Sequence, residues 1–446
     1  MSEDNHTYPR PKYAWYMVAL LLLIYTFSFI DRQILSLLGP AIKADFGISD
    51  TEFGLLVGFA FAFFYTLIGL FCARIADSKS RIGLIAIGLF LWSLATAASS
   101  LAKNFTQLFI LRMGVGVGEA TLGPSANSLI ADSFPKHKLS TALSVYAMGI
   151  PVGSALAFII GGAIIPIADQ MPDIAFLSFN IATGWQKALL LVGVPGILLT
   201  LVVLTLKEPP RHGQIAGTGA IPLREVFAFF KGRYRAYTAI CFGVSMNAAF
   251  GFGSVVFLAF FFGRYHGVSG ADVGMIFGTI SIITGPLGLL FGGYIADKWF
   301  RQGKKDAHIR ALMMAPIGFA IPAIAIVFVE DTMTAWILLG ISNFFVNSPS
   351  GVAYASLQII TPNQMRGQII SIYIMATSLI GYGGGPFAIG FMSDNLFSGP
   401  DSLRYSYLAV ALFTIPVGIL TFLWGRKAYM RAVDQETERE LAALDQ

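Results

Sequence analysis

The sequence predicts an all-α integral membrane protein with twelve transmembrane helices in two pseudo-symmetric six-helix bundles. Composition is the first indication. Of 446 residues, 55% are hydrophobic and 12% are charged, whereas soluble globular proteins carry about 25% charged residues. The second is that apolar runs long enough to cross a bilayer recur along the chain. The third is that short patterns from the first half of the chain return, in the same order, in the second half.

The predicted spans alternate with short polar connections. They lie at residues 13–39, 51–76, 82–102, 106–131, 139–168, 185–206, 236–263, 271–296, 309–329, 334–360, 367–393 and 405–425. This divides the chain into an N-terminal segment (1–12), an N-terminal bundle (13–206), a linker (207–235), a C-terminal bundle (236–426) and a C-terminal tail (427–446).

Basic residues are distributed unequally between the two sides of this arrangement. The side with both termini holds 23 of the 30 Lys and Arg residues, and the other side holds five. The positive-inside rule therefore predicts that both termini are cytoplasmic, and we expect the protein in the cell (inner) membrane. The chain has a net charge of +5 but no basic face or motif that indicates nucleic-acid binding.

Two repeated patterns support the division into halves. They are Ile75-Ala76-Asp77 with Arg81, which returns 220 residues later as Ile295-Ala296-Asp297 with Arg301, and Pro135 with Ser144 and Tyr146, which returns 227 residues later as Pro362 with Ser371 and Tyr373. Pseudo-symmetric halves around a site near the bilayer midplane are the general plan of secondary transporters, because alternating access needs two rigid bodies.

Two connections have local signatures. In the linker, Leu223, Val226, Phe227 and Phe230 recur at i, i+3, i+4 and i+7 and predict an amphipathic helix. Such a helix lies at the cytoplasmic membrane surface, although a plain tether is an equal alternative. The sequence 49–52, Ser-Asp-Thr-Glu, predicts a capping box at the start of the second span.

Four charged residues interrupt apolar spans and are the main candidates for function. Asp31 and Arg32 lie in the first span, and Arg112 and Glu119 lie in the fourth. A charge at this depth costs at least about 2.5 kcal/mol, so it is rarely without a role. Arg112 and Glu119 are two helical turns apart on one face, and Gly114, Gly116 and Gly118 lie between them. Small residues at these positions allow a neighbouring helix to approach closely.

The depths of these charges suggest their partners and roles. If the first and fourth helices touch, Asp31 can pair with Arg112, and Glu119, further from Arg112, is the better candidate for a proton carrier. We therefore assign Asp31, Glu119 and Arg112 to proton coupling, with a static ion-pair lock as the alternative. Arg32 points about 100° away from Asp31 on the helix, so it is a candidate for binding an anionic group or for reaching outward to the membrane surface.

The second half carries polar residues but no charge near mid-depth. Asn247, Asn343 and Asn347 are candidates for substrate binding, and interhelical hydrogen bonding is their alternative role. Asp77 and Asp297 end the second and eighth spans on the cytoplasmic side and are followed by Lys79, Arg81 and Arg301. An acid there can face the N-terminus of another helix and stabilise one conformation. We expect these five residues to form a cytoplasmic gate; the alternative is that the basic residues act only as topology signals.

Several of these motifs resemble the major facilitator superfamily. Residues 77–81, Asp-Ser-Lys-Ser-Arg, are similar to its signature between helices two and three, with Ser78 where Arg is usual and Ser80 where Gly is usual. Within the superfamily, the spinster-like transporters are similar at Asp31-Arg32, at Arg112 with the 116–120 stretch Gly-Val-Gly-Glu-Ala, and at residues 149–154, Gly-Ile-Pro-Val-Gly-Ser. Organic-anion transporters of the superfamily share the Gly-x-Gly-Glu-Ala stretch and an Asp-Arg in helix one.

The resemblance implies a central cavity lined by helices one, four, seven and ten. It also implies carriage of amphipathic lipids, such as lysophospholipids or sphingosine phosphate, with proton coupling in bacterial members. We therefore expect a monomeric, proton-coupled secondary transporter for an amphipathic lipid-like or organic anionic substrate, surrounded by membrane lipids.

Other functional classes are less well supported. One alternative is an organic-anion or drug/proton transporter with a non-lipid substrate. A less favoured alternative is a membrane receptor without transport. We expect no enzyme activity, no cofactor and no metal site, because no nucleophile–base or metal-ligand set lies at depth. A Gly-x-x-x-x-Gly-Lys-[Ser/Thr] sequence, which an ATP-driven pump needs, does not occur.

Overall fold

The structure is a computed structural model that describes residues 8–176, 179–211 and 223–444. Ten of its helices are long and apolar enough to cross a membrane, and two further spans, the fourth and the tenth, each consist of two shorter helices. The predicted all-α membrane fold with twelve spans is therefore confirmed.

The six spans of the first half follow the predicted order. They are span 1 (Pro11–Phe46), span 2 (Asp50–Gly54, a π-helical turn at Leu55–Phe59, and Ala60–Ser78), span 3 (Arg81–Ser99), span 4 (Phe105–Glu119 and Leu122–Ser133), span 5 (Lys136–Ala147 and Gly149–Gln170) and span 6 (Gly184–Val203).

The second half follows a linker helix at Leu223–Gly232. Its spans are span 7 (Tyr234–Val256 and Leu258–His266), span 8 (Gly270–Arg301), span 9 (Ala307–Ala325), span 10 (Thr332–Asn347 and Pro349–Ile359), span 11 (a 3₁₀ turn at Asn363–Met365, then Arg366–Ala376, a π-helical stretch at Thr377–Gly383, and Gly384–Asn395) and span 12 (Ser402–Leu444).

We name the two ends of the helix bundle after the segments that lie there. The linker face carries Glu208 and the linker helix, and the distal face, at the opposite end, carries the turn from span 1 to span 2. At that turn Gly47 ends span 1 with a φ of 63°, a left-handed conformation that glycine adopts without strain. The predicted capping box is confirmed, since the Ser49 side chain accepts from the backbone of Glu52 and the Glu52 carboxylate accepts from the Ser49 N–H.

The interruptions in spans 4 and 10 occupy corresponding places in the two halves. The first helix of span 4 is capped by Ala120 and that of span 10 by Ser348. These positions are 228 residues apart, close to the 227-residue offset of the sequence repeat. Correspondence at the level of helix breaks supports duplication of a six-span unit.

The two halves meet most extensively along two helix pairs, span 2 with span 11 and span 5 with span 8. Both contacts are close because glycines, which have no side chain, lie where the helices touch. A Cβ atom added at Gly274 would lie 2.7 Å from the carbonyl oxygen of Phe158, and one added at Gly58 would lie 2.8 Å from the carbonyl oxygen of Tyr382. Backbone therefore packs directly on backbone across the junction of the halves.

Two regions differ from the predicted outline. A β-hairpin of Ile174–Phe176 and Phe179–Ile181, paired antiparallel with Ile174 opposite Ile181, follows span 5. Span 12 also continues as a helix into the predicted C-terminal tail, as far as Leu444. Within this extension Glu436 is buried and forms a 3.0 Å ion pair with Arg233 beside the linker helix.

The linker helix packs one face against the second half. Val226 is buried, and the ring of Phe230 stacks on Tyr237 of span 7 with 5.1 Å between ring centroids. Phe227, on the same predicted apolar stripe, is 59% exposed. The stripe is thus only partly used in contacts within the chain.

Candidate transport site

Glycines on both sides of span 4 bring two neighbouring helices against it. A Cβ atom added at Gly116 would lie 2.8 Å from the Phe61 carbonyl oxygen of span 2, and one added at Gly118 would lie 2.8 Å from Trp92 of span 3. The predicted close approach is confirmed. It places Phe61 and Trp92 beside the charged residues of spans 1 and 4.

The ion pair at the centre of this region joins Arg32 to Glu119. The Arg32 Nη2 lies 2.5 Å from Glu119 Oε2, and Arg32 Nε donates to the same oxygen at 2.6 Å. The Glu119 side chain is fully buried, whereas 14% of the Arg32 side chain is exposed. The other carboxylate oxygen, Oε1, is buried without a hydrogen-bond partner among the described residues.

Glu119 occupies an unusual backbone position for an acid. It is the last residue of the first helix of span 4, and the second helix begins at Leu122. The C-terminal end of a helix carries partial negative charge and unsatisfied carbonyl groups, so it favours cations over anions. Arg32 therefore stabilises both the carboxylate and the helix end that holds it.

Asp31 and Arg112 do not form the predicted ion pair. Arg112 instead donates from Nη1 to the backbone carbonyl oxygen of Asp31 at 3.1 Å. The Asp31 side chain turns toward Trp92 and Thr96 of span 3, and its Oδ1 is buried without a hydrogen bond in the part of the chain that the structure describes. Spans 1 and 4 thus meet as predicted, but the ion pair between them uses the next residue of span 1.

Aromatic rings surround the exposed side of Arg32. Its guanidinium carbon lies 4.4 Å from the ring centroid of Phe61, 5.0 Å from that of Tyr65 and 5.3 Å from that of Phe29. Cations are attracted to aromatic faces at these distances. Arg32 therefore points into the protein rather than outward to the membrane surface.

Tyrosines of the second half lie opposite this cluster. Tyr65 of span 2 is near Tyr354 of span 10 and Tyr382 of span 11, and the rings of Tyr354 and Tyr373 are 5.3 Å apart. Tyr354 and Tyr382 keep 36% and 38% of their surface accessible. Aromatic rings of both halves therefore lie in the neighbourhood of Arg32.

The three asparagines proposed for substrate binding make hydrogen bonds within the second half. Asn247 donates to the Val346 carbonyl oxygen at 3.2 Å, joining spans 7 and 10. Asn343 donates to the Thr284 hydroxyl at 2.8 Å, joining spans 10 and 8. Asn347 donates to the Asn343 carbonyl oxygen at 2.8 Å. The contacts of Asn247 and Asn343 correspond to the interhelical alternative, the contact of Asn347 lies within span 10, and none of the three residues lies in the Arg32–Glu119 cluster.

Polar contacts close the distal face between the halves. Asp50, at the start of span 2, accepts from Lys43 of span 1, from Arg264 of span 7 at 3.0 Å and from Ser393 of span 11 at 2.8 Å. Asp394 of span 11 accepts from the backbone N–H and the hydroxyl of Thr51, both at 2.6 Å. This network leaves no signal in the sequence, because its residues lie at helix ends whose pairing depends on how the halves meet.

The linker face is arranged differently. Arg81 is fully buried and binds Asp132 of span 4 and Glu208 beyond span 6, the latter at 2.7 Å. Lys79 is exposed, and its backbone carbonyl oxygen accepts from Arg211 at 2.6 Å. Both contacts lie within the first half and its adjoining linker.

The remaining residues proposed for a gate lie at the same end of the bundle. Asp297 and Arg301 are exposed at the end of span 8, and the side chain of Asp77 lies outside the described part of the chain. A gate that joins the two halves through these residues stays a prediction. Among the described residues no group of His, Cys, Asp or Glu is placed to hold a metal ion.

Comparison with known proteins identifies the family. Residues 21–386 match the family model described as the Major Facilitator Superfamily. The chain belongs to this superfamily. Its fold is correspondingly similar to the crystal structure of a bacterial homologue of the human lysosomal transporter spinster, in an inward-facing and unoccupied conformation. That similarity has a TM-score of 0.79 and 25% identity, and it covers 96% of this chain and 99% of the other.

Relatives within the superfamily include transporters of several kinds. An MFS-type efflux pump of Mycolicibacterium smegmatis is 26% identical over 97% of this chain and 96% of its own length. The sphingosine-1-phosphate transporter SPNS2 of Mus musculus is 25% identical over 91% of this chain and 76% of its own length. A probable L-galactonate transporter of Escherichia coli is 25% identical over 85% of this chain and 83% of its own length. The chain is thus a spinster-like membrane transporter of the superfamily, and not an enzyme.

Proposed function

We propose that this chain is a proton-coupled secondary active transporter that works by alternating access on an amphipathic anion. The observation that carries the proposal is the Arg32–Glu119 pair: a fully buried carboxylate at a helix break, bound to a guanidinium that is partly accessible. Intramembrane charges of this kind mark substrate pathways and proton relays. Asp31 and Arg112 lie directly beside the pair and complete the proton-coupling group.

The pair links proton binding to substrate binding because the Arg32 guanidinium binds either the Glu119 carboxylate or the anionic group of the substrate. A proton that binds the Glu119 carboxylate neutralises it and frees the Arg32 guanidinium. The anionic group of a substrate then takes the place of the carboxylate against Arg32. Proton and substrate therefore favour each other's binding, and the linkage is reciprocal. We expect the substrate to bind more tightly as the pH falls.

The closed distal face supports an alternating-access cycle. Asp50 with Arg264, and Asp394 with Thr51, hold the halves together at that end. With the termini on the cytoplasmic side, closure of the distal face corresponds to closure toward the outside, which fits the inward-facing state described for the similar spinster homologue. Asp77, Lys79, Arg81, Asp297 and Arg301 lie at the opposite end of the bundle, as an inner gate requires.

The groups around Arg32 support an amphipathic substrate. Arg32 offers a charged group, and aromatic rings of both halves offer apolar faces. A headgroup–tail molecule suits this combination, and sphingosine-1-phosphate is named as the substrate of one relative. A non-lipid organic anion or drug is the second candidate, favoured by the probable L-galactonate transporter and the efflux pump among the relatives.

Transport into proteoliposomes tests the proposal. Purified protein is reconstituted, a pH gradient is imposed, and uptake is measured across a panel of lysophospholipids, sphingoid phosphates and sugar acids. Glu119→Gln imitates the protonated carboxylate, so it should keep substrate binding but lose the response to the gradient. Glu330→Gln, an identical change at an exposed acid of the distal side, serves as the control. A normal gradient response in Glu119→Gln would refute proton coupling through this residue.

A further inference from the structure

A cavity at the distal face is separate from the Arg32–Glu119 cluster. It has a volume of about 520 Å³ and opens between the end of span 1 and the end of span 7. Pro40, Ile48 and Phe260 contribute apolar surface, and Lys43 and Arg264 contribute the charged groups. The volume falls within the range of small-molecule sites, which are mostly apolar with a few polar groups.

The charges around this cavity are unbalanced. Lys43 and Arg264 share a single carboxylate, that of Asp50, so the three groups together carry one positive charge. They also differ in accessibility: 28% of the Lys43 side chain and 32% of the Arg264 side chain are exposed, against 3% for Asp50. The cations therefore face the cavity while the carboxylate lies behind them, and the Phe260 ring lies beside Arg264 with 5.3 Å between ring centroid and guanidinium.

We propose that this cavity binds an anionic group that carries a short apolar chain, and that the bound anion shares Lys43 and Arg264 with Asp50. The anionic group contacts the two cations, and the chain lies on Pro40, Ile48 and Phe260. Since Asp50 also holds span 7 and span 11 against span 2, an anion that draws the cations away weakens the closure of the distal face. The site deepens the proposed function, on which it rests in one respect, because the transported substrate is itself expected to be an amphipathic anion.

Binding of hexyl phosphate to the protein in nanodiscs, measured by titration calorimetry at a fixed pH, tests the site. Hexanol and inorganic phosphate separate the contributions of the chain and of the charge, and we expect hexyl phosphate to bind more tightly than either. Lys43→Gln should weaken its binding about threefold to fivefold, as for the loss of one partly exposed charge contact. Lys103→Gln, an exposed lysine of the same face, should leave it unchanged. Equal affinities in Lys43→Gln and the unaltered protein would overturn the proposal.

Two further variants identify what the anion competes with and where it binds. Asp50→Asn removes the internal competitor, so hexyl phosphate should bind more tightly than to the unaltered protein; weaker or equal binding in folded Asp50→Asn would contradict the shared use of the cations. Lys43→Gln should weaken the binding by the same factor in the Glu119→Gln background, because Glu119 lies outside this cavity. If Glu119→Gln alters the binding and Lys43→Gln does not, the probe binds at Arg32, which refutes the distal site and leaves the proposed function intact. The assay uses no gradient, so a failure of proton coupling leaves its outcome unaffected.

Discussion

Arg32 and Glu119 are each other's ion-pair partners within the described residues, and both lie within the membrane-spanning region. Breaking such a pair by removing one partner costs about 3–5 kcal/mol, because it leaves an uncompensated buried charge. Neutralising both partners removes that penalty. The pair should therefore show strong coupling when its members are changed together.

We predict that the variants Arg32→Gln and Glu119→Gln are markedly non-additive. Each should lower the melting temperature, and Arg32→Gln more so because Glu119 is fully buried. The double variant should be more stable than the sum of the single losses predicts. Thermal unfolding in detergent gives the coupling energy through a double-mutant cycle.

The matched comparison is the cycle of Asp31→Asn with Arg112→Gln. Here the polar contact runs from Arg112 to a backbone carbonyl oxygen rather than to the Asp31 carboxylate. Its coupling energy should be the smaller of the two. The opposite ranking would mean that Arg112, and not Arg32, is the main partner of the acids in this cluster.

The charged residues show what sequence can and cannot predict at this scale. Composition and span depth identified Asp31, Arg32, Arg112 and Glu119 as the charged group, because each interrupts an apolar run. Depth did not determine the pairs, since Asp31 and Arg32 differ by only about 1.5 Å along the helix axis. The direction in which each side chain points is set by how spans 1 to 4 pack, which Gly116 and Gly118 decide through contacts far along the chain.

Among the helices, span 3 has its N-terminus bound by Glu208, a residue that follows span 6. The Glu208 carboxylate accepts from the backbone N–H groups of Arg81 and Ile82, from the Ser80 hydroxyl and from the Arg81 guanidinium. Partial burial acts to raise the pKa of Glu208, but these hydrogen bonds outweigh it and hold the pKa below its usual range. The start of the linker is thereby fastened to the first half.

We predict a pH-dependent stability from this contact. Because the pKa of Glu208 is lowered in the folded protein, its contribution is fully present above the unfolded pKa of about 4.3 and is lost as the pH falls below it. Glu208→Gln should lower the melting temperature at neutral pH and reduce its dependence on pH below about 4.3. The melting temperature is measured from pH 7 to pH 3.

A control for this series is Glu225→Gln on the linker helix, where the acid is exposed. It should melt as the unaltered protein does at each pH. If Glu208→Gln and the unaltered protein lose stability in parallel below pH 4.3, Glu208 does not supply the acid-sensitive contact.

Helix breaks were harder to predict than helices. Apolar length was enough to place all twelve spans, but it read spans 4 and 10 as continuous. The interruption after Glu119 depends on Thr121, whose hydroxyl donates to the Gly118 carbonyl oxygen at 2.9 Å, and on Gly88, which leaves room for that turn. Neither residue carries a breaking signal of its own, because the turn exists only where span 3 packs against it.

At the scale of the whole molecule, the close contact between span 5 and span 8 joins the two halves. At Gly274 an added Cβ atom would lie 2.7 Å from Phe158 and 2.8 Å from Gly162, and all of these neighbours are backbone atoms. Backbone cannot move aside as a side chain does, so the helices themselves must separate. Overpacking of this kind costs about 1–3 kcal/mol.

We predict that Gly274→Ala widens the distal face. Distances between spin labels on distal loops of the two halves should increase, and the melting temperature should fall. Gly293→Ala on the same helix is the matched control, since a Cβ atom there meets nothing within 4 Å. Identical distance distributions in the two variants would exclude the span 5–span 8 contact as a determinant of distal closure.

Symmetry between the halves was visible in the sequence, but the contacts that join them were not. The repeated patterns around Asp77 and Asp297 correctly indicated two related bundles. The contacts of Asp50 with Arg264 and of Asp394 with Thr51 cross between the halves, and contacts of this kind need only complementary residues. Such contacts arise from the assembled molecule and leave no periodic signal.

Asp394 should affect how separately made fragments of the two halves assemble. It belongs to the second half, yet it accepts the first backbone N–H groups of span 2, at Asp50 and Thr51. In a first-half fragment made alone, the backbone N–H groups of Asp50 and Thr51 would therefore lack the Asp394 carboxylate as their acceptor. Co-expressed fragments 1–211 and 212–446 should restore transport, and Asp394→Ala in the second fragment should lower the yield of the reassembled pair more than it lowers the yield of the intact chain. In the intact chain the linker keeps the halves together after the Asp394 carboxylate is lost. Separate fragments have no linker, so the hydrogen bonds of Asp394 to span 2 contribute to their association.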